Sequence, residues 1–331
     1  MMSFELGVED LADTRFAISP VQETLFSLWA LRDPGRHAVH LPWRRSVLGE
    51  LAAVDTRLLL SLVGGSLALP DFLTPRPETF APVFEDQLAT VRGTSPGLVR
   101  RDILATHAGG ELPGALRQVT APGDEPVREL LDAVCEALQH YWDVALKPAW
   151  SRMRLVLETD MTYRARRLAT GGARLLFADM HPNLRWRDGV LRIDKMIGGH
   201  HVAVSGRGLL LIPSLFAYKP VPPLDPAEPP LLAYPCRGAA TLWAEAPKAD
   251  PGALASLLGP PKARLLGLLE EPLPTIEIAR RLKVTPSAVS QHLRVLHATG
   301  LVSRARDGRQ MLYRRSPLGD RLAGPHHSRA M

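Results

Sequence analysis

The chain has 331 residues, 46% of them hydrophobic and 22% charged, with a net charge of +6; this is ordinary globular composition, which excludes wholesale disorder and leaves room for about two domains. No apolar run approaches the roughly 18–20 residues of a membrane helix, and two cysteines, Cys135 and Cys236, allow at most one bridge, so a disulfide framework is excluded. The charge is uneven: residues 259–331 hold 13 Lys/Arg against 5 Asp/Glu, whereas residues 1–258 hold 27 against 29, so a polyanionic partner would be drawn to the C-terminal end.

The start, Met1-Met2-Ser3-Phe4-Glu5, has no basic region and soon meets Glu9 and Asp10, so no signal peptide is expected and the protein reads as cytoplasmic. Val21–Leu31 carries apolar residues at helical spacing, and Gly49–Val63 repeats the pattern. Phe80–Val91, Pro96–Thr106, Pro126–Leu146 and the charged Ala149–Leu168 are further helices. The texture then changes. Leu184–Ile193 alternates around Asp188-Gly189, a two-residue hairpin signal. Leu209–Pro213 and Leu231–Tyr234 read as strands on either side of a proline-rich loop, and Ala246–Pro251 reads as a linker. The fold class expected is mainly α with small β elements: a C-terminal winged helix-turn-helix following a larger α+β N-terminal domain. The boundaries are 1–245 for the N-terminal domain, 246–251 for the linker, 252–318 for the winged helix and 319–331 for a flexible tail.

The C-terminal stretch is the informative one. Pro261–Glu270 predicts a helix that Pro272 and Pro274 stop. Thr275–Leu282 predicts a second, with Ile276, Ile278, Ala279 and Leu282 inward. Thr285 is a good N-cap, Pro286 suits the first helical position, and Gly300 ends a third helix at 286–298. Its apolar face is Val289, Leu293 and Leu296; its other face shows Ser287, Ser290, Gln291 and Arg294. Two alternating segments over 301–315 then make a hairpin carrying Arg304, Arg306, Arg309, Arg314 and Arg315. That order is a winged helix-turn-helix, in which a helix fits the major groove and a basic wing suits the backbone or minor groove.

The runs Thr275-Ile276-Glu277-Ile278-Ala279-Arg280-Arg281-Leu282 and Thr285-Pro286-Ser287-Ala288-Val289-Ser290-Gln291-His292-Leu293-Arg294-Val295-Leu296, followed by Gly300-Leu301-Val302, resemble the DNA-binding core of the ArsR/SmtB family of bacterial repressors. The whole chain is also similar to longer actinobacterial members with this module behind a large uncharacterised domain; Arg15-Phe16-Ala17, Ser19-Pro20, Gly206-Arg207-Gly208-Leu209 and Tyr234-Pro235-Cys236-Arg237-Gly238 fit that picture. The resemblance implies a homodimeric regulator of transcription, a repressor, bound to a near-palindromic operator in double-stranded DNA. The DNA-contacting set expected is Thr275, Thr285, Ser287, Ala288, Ser290, Gln291, His292, Arg294, Arg304, Arg306 and Arg309. Relatives that sense metals use Cys near the first motif helix, or Asp, His and Glu on a C-terminal helix. Here Pro274–Leu282 has no Cys, and His326-His327 are too close together to build a site alone. Metal sensing is therefore not expected; nor is a cofactor or a membrane partner. A small-molecule effector would act at the N-terminal domain, and dimerisation would use that domain or Gly252–Glu270.

Other patterns carry less. Gly93-Thr94-Ser95-Pro96-Gly97 matches a nucleophile elbow, but that motif needs a preceding strand and an N–H after the serine, which Pro96 lacks. Asp132, Glu136, His140 and Asp143, with Cys135, could line a helix as ligands; a solvated face opposite Leu131, Val134, Leu138 and Tyr141 is the simpler reading. His200-His201 would point to opposite sides of a strand. Gly206-x-Gly208 leads to Pro213 rather than to a helix, so a dinucleotide loop is not expected. Cys236 is a weak redox candidate. No enzyme activity is expected; an interaction scaffold, or an enzyme-like N-terminal domain fused to a regulator, are the alternatives.

Overall fold

The structure is a computed structural model that describes residues 2–65, 67–194, 201–225, 227–243, 251–307 and 310–323. The chain divides into two compact units, Met1–Ala244 and Glu245–Met331. It is mainly helical with small sheets, an α+β N-terminal region followed by the winged helix-turn-helix.

The N-terminal unit begins with β1 (Met2–Glu5), α1 (Val8–Ala12) and β2 (Arg15–Phe16). Among the described residues six α-helices follow: α2 (Pro20–Arg32), α3 (Leu41–Val47), α4 (Thr56–Ser61), α5 (Phe84–Arg92), α6 (Pro96–Thr106) and α7 (Glu125–Tyr141). The long α8 (Trp150–Ala178) leads to β3 (Leu184–Arg187), β4 (Val190–Ile193), β5 (His201–Ala203), β6 (Leu210–Ser214), β7 (Leu231–Pro235) and the short α9 (Ala239–Leu242). Asp188 and Gly189 both have positive φ between β3 and β4, the geometry that the hairpin signal requires.

Several sequence-based bounds move for physical reasons. The helix expected over 49–63 is broken, because the Asp55 side chain accepts from the Leu58 N–H and starts α4 afresh. The helix expected from Phe80 starts at Phe84, beyond Pro82, whose ring disfavours helical geometry in the residue before it. The last turn expected in 126–146 winds as a π-helix over Trp142–Leu146. The helix expected to end at Leu168 runs on to Ala178 through a break at Gly171 and Gly172, the latter at φ +64°. Arg164 ties the two halves together: it is fully buried, its Nε lies 3.7 Å from Asp160 and its Nη1 2.5 Å from Asp179.

Among the described residues, two sheets organise this unit. In the first, β1 lies between β4, to which it is antiparallel, and β5, to which it is parallel. Its apolar face (Phe4, Leu191, Ile193, Val202) packs on Leu176 and Phe177 of α8. In the second, β6 runs parallel between β2 and β7. Alternate residues of β6 serve two cores: Leu210 and Ile212 join the helical core, and Leu211 joins the sheet core. That is why the strand is buried throughout and opens with three consecutive aliphatic residues. His201 of β5 meets Ser3 at 2.9 Å and Glu5 at 3.1 Å; the neighbouring His200 lies outside the described residues.

Buried polar groups hold the elements in register. Asp10 accepts from the N–H of Gly7 at 2.9 Å, Gly206 at 2.8 Å and Gly208 at 3.3 Å, which gives the Gly206-x-Gly208 pair a structural role. Gly208 has φ +64°, and a Cβ there would lie 2.6 Å from the Asp13 carbonyl oxygen. On α2, which is buried on nearly all faces, Ser19 caps the helix by accepting from Gln22 N–H, and Glu23 accepts from Leu215 N–H at 3.0 Å. Burial lifts the Glu23 carboxyl from its ordinary 4.5 to about 8.

Two outcomes follow. Gly208→Ala should cost about 1–3 kcal/mol through backbone strain, with further loss from the Asp13 clash, read from urea unfolding. Between pH 4.5 and about 8 the native state holds a Glu23 proton that the unfolded chain has released, so stability falls as pH rises through this window. Glu23→Gln should flatten that decline, and equal slopes for the two proteins would count against a buried neutral carboxyl.

Candidate nucleic-acid interface

The C-terminal unit contains α10 (Pro251–Leu258), α11 (Pro260–Leu268), β8 (Leu273–Pro274), α12 (Thr275–Leu282), α13 (Pro286–Ala298), β9 (Val302–Asp307), β10 (Gln310–Arg315) and α14 (Pro317–Ala323). Of the expected linker 246–251, residues 246–250 lie outside the described residues and Pro251 opens α10. The expected flexible tail from 319 is corrected as far as Ala323. There α14 docks by burying Ala323 and by bringing Asp320 to 3.1 Å from Arg315. His326 and His327 lie outside the described residues.

One core fixes the orientation of α13. Leu265, Leu266 and Leu269 from α11 and its end, Ile278 and Ala279 from α12, and Val289, Leu293 and Leu296 from α13 pack together with Leu301 and Val302. Each Val, Leu or Ile side chain so buried contributes roughly 1.5–3 kcal/mol. Ile276, expected inward, is 69% exposed: Ile278 and Ala279 already fill the inward face of this two-turn helix, and Ile276 falls on the other side.

The turn before α13 is specified locally. α12 ends at Lys283 in the left-handed region, φ +55°, and Val284 N–H bonds back to the Ala279 carbonyl. The Thr285 hydroxyl accepts from Ala288 N–H at 3.3 Å, and Pro286 occupies the first helical position. Gly300, at φ +72°, closes the other end.

With Val289, Leu293 and Leu296 inward, Ser287, Ser290, Gln291 and Arg294 are all exposed and form one polar stripe on the opposite side. Ala288 and His292 sit off that stripe. Both are half-buried in a small cleft with Leu265, Leu282 and Val284. Thr275 is half-buried in the first turn of α12, a helix end that no side chain caps.

In the wing, β8, β10 and β9 form an antiparallel sheet in that order. Arg304 opposes Tyr313 and Arg306 opposes Met311, so both arginines share the face that carries Val302 and Arg315 at its base. Arg304, Arg306 and Arg314 are exposed, with Arg314 on the other face. Arg309 lies outside the described residues. Arg315, read from sequence as part of the basic wing, is instead 5% exposed and paired with Glu270 and Asp320.

Charge on α12 is largely used within the helix. Glu277 accepts from Arg280 at 2.7 and 2.8 Å and from Arg281 at 2.7 Å, and these bonds lower its carboxyl to about 2.

The other sequence patterns resolve as structure. Ser95 lies between α5 and α6, with a helix where a nucleophile elbow needs a strand. Asp132, Glu136, His140 and Asp143 are exposed, while Cys135 is buried with Leu131, Val134, Leu138 and Tyr141; burial pushes its thiol up to about 11. Burial likewise pushes the Cys236 thiol up.

Among the described residues no helix is long and apolar enough to cross a membrane. No curated protein and no solved structure matches the chain. Residues 265–304, from within α11 to the first strand of the wing, match the family model described as bacterial regulatory protein, arsR family. The C-terminal unit thus carries an ArsR-family helix-turn-helix domain, following a larger α+β region that the family model does not cover.

Proposed function

We propose that the protein is a sequence-specific transcriptional repressor that binds double-stranded DNA as a homodimer in the cytoplasm, and that it is not an enzyme. The observation that carries this reading is the exposed polar stripe of α13, held outward by the burial of Val289, Leu293 and Leu296 within an ArsR-family domain. A helix of this kind fits the major groove.

In this reading Gln291 and Arg294 meet base edges, for which Gln to adenine and Arg to guanine are the favoured pairings. Ser287, Ser290 and Thr285 take phosphates, helped by the positive end of α13. Thr275 takes a phosphate at the uncapped start of α12. Ala288 and His292 shape the flank of the helix. Arg304, Arg306 and Arg309 track the backbone or adjacent minor groove. Two copies would place their α13 helices in successive major grooves about one helical turn apart. On α10, Leu257 is 70% exposed, and self-association through 252–270 would cover it.

The test uses DNA that the full chain selects from a random-sequence library. Arg304→Ala and Arg306→Ala should each weaken binding to selected and random DNA alike and reduce the salt slope by about 1. Gln291→Ala should instead lose about 1–3 kcal/mol of discrimination at particular base pairs. Equal losses on selected and random DNA for all three variants would remove the assignment of base reading to α13.

A further inference from the structure

Within the N-terminal unit, a cavity of about 90 Å³ opens between α2, residues 67–76 and the proline-rich loop before β7. Its apolar wall includes Phe26, Leu69 and Leu231. Two polar side chains of α2 also line it, Gln22 and Trp29, each only 2% exposed. Neither Gln22 Nε2 nor Trp29 Nε1 has a hydrogen-bond partner.

A buried donor left unpaired costs about 1–3 kcal/mol, and native proteins rarely leave two beside one cavity. Both groups require an acceptor. The Asp71 carboxylate accepts from the N–H groups of Leu224 at 3.0 Å and Asp225 at 2.8 Å. Glu228 is half-buried on the proline-rich loop, and Arg76 donates to the Pro230 carbonyl at 2.9 Å. Two carboxylates against one guanidinium disfavour an anion in this wall.

We propose that this cavity is a ligand site for a small, uncharged, mainly apolar molecule bearing a carbonyl oxygen, which accepts from Gln22 or Trp29. The size fits the carbonyl end of such a molecule: roughly 150 Å³ of dry cavity admits benzene, so about 90 Å³ admits roughly three or four heavy atoms, with the rest of a longer chain lying in the open mouth. The site stands apart from the DNA-binding reading, because its readout is ligand capture in the full chain without DNA.

The experiment titrates the ¹⁵N-labelled full chain with pentanamide, pentanoate and cyclopentane at millimolar concentrations. The indole N–H signal of Trp29, one of six tryptophans, is assigned from Trp29→Phe. Pentanamide should shift that signal saturably, binding about tenfold more tightly than pentanoate or cyclopentane. Gln22→Leu should weaken pentanamide by a similar factor. The titration of the unaltered chain decides the matter even if that variant folds poorly. No saturable shift with pentanamide would mean that water alone serves the two donors, and the proposal fails. It fails equally if pentanoate or cyclopentane binds as tightly as pentanamide.

Discussion

The C-terminal unit depends on the burial of three side chains on one helix. Val289, Leu293 and Leu296 are spaced four and three apart, and together they fill the gap between α11, α12 and the base of the wing. A helix has one rotational setting that places all three inward. That setting turns Ser287, Ser290, Gln291 and Arg294 to solvent. The exposed polar stripe is therefore a by-product of core packing, and rotating the helix to hide it would expose three core residues. The local signals agree with the packing: the Thr285 cap, Pro286 at the first turn, Lys283 in the left-handed region and Gly300 at the end all set where α13 begins and stops. Such agreement between local and tertiary preference marks a sequence that specifies one structure.

The distribution of cations adds to this. Arg280 and Arg281 are spent on Glu277, and Arg315 is spent on fastening α14 to the sheet. Arg294, Arg304 and Arg314 lie on exposed surfaces. The sequence-wide excess of positive charge in this unit is thus sorted by the fold into structural pairs and surface cations. Surface pairs such as Glu277–Arg280 add little stability, so their main effect is to reduce the charge that α12 offers to DNA.

Much of the C-terminal unit was legible because its signals are short-range. A cap, a proline, a glycine and a four-three apolar spacing all act within one helix, and the bounds of α12 match the reading residue for residue. The N-terminal unit was legible where signals were equally local, as for α6 and the Asp188-Gly189 hairpin. It was not legible where pairing is remote. β1 pairs with β4 and β5 nearly two hundred residues away, and β2 has only two residues. No turn or periodicity announces such strands. The inward setting expected for Ile276 and the exposed setting expected for Arg315 both failed because each depends on which neighbours already fill the core. The donors of Gln22 and Trp29 were invisible for the same reason: in sequence, α2 reads simply as a core helix.

In the proposed function the outward stripe of α13 reads DNA sequence. The most direct measurement is to capture fragmented genomic DNA on the full chain at near-physiological salt and to sequence what is retained. The account predicts a small set of fragments sharing an inverted repeat, with half-site centres about 10 base pairs apart. Retention without a shared motif, at a salt concentration where random DNA is held equally well, would contradict it.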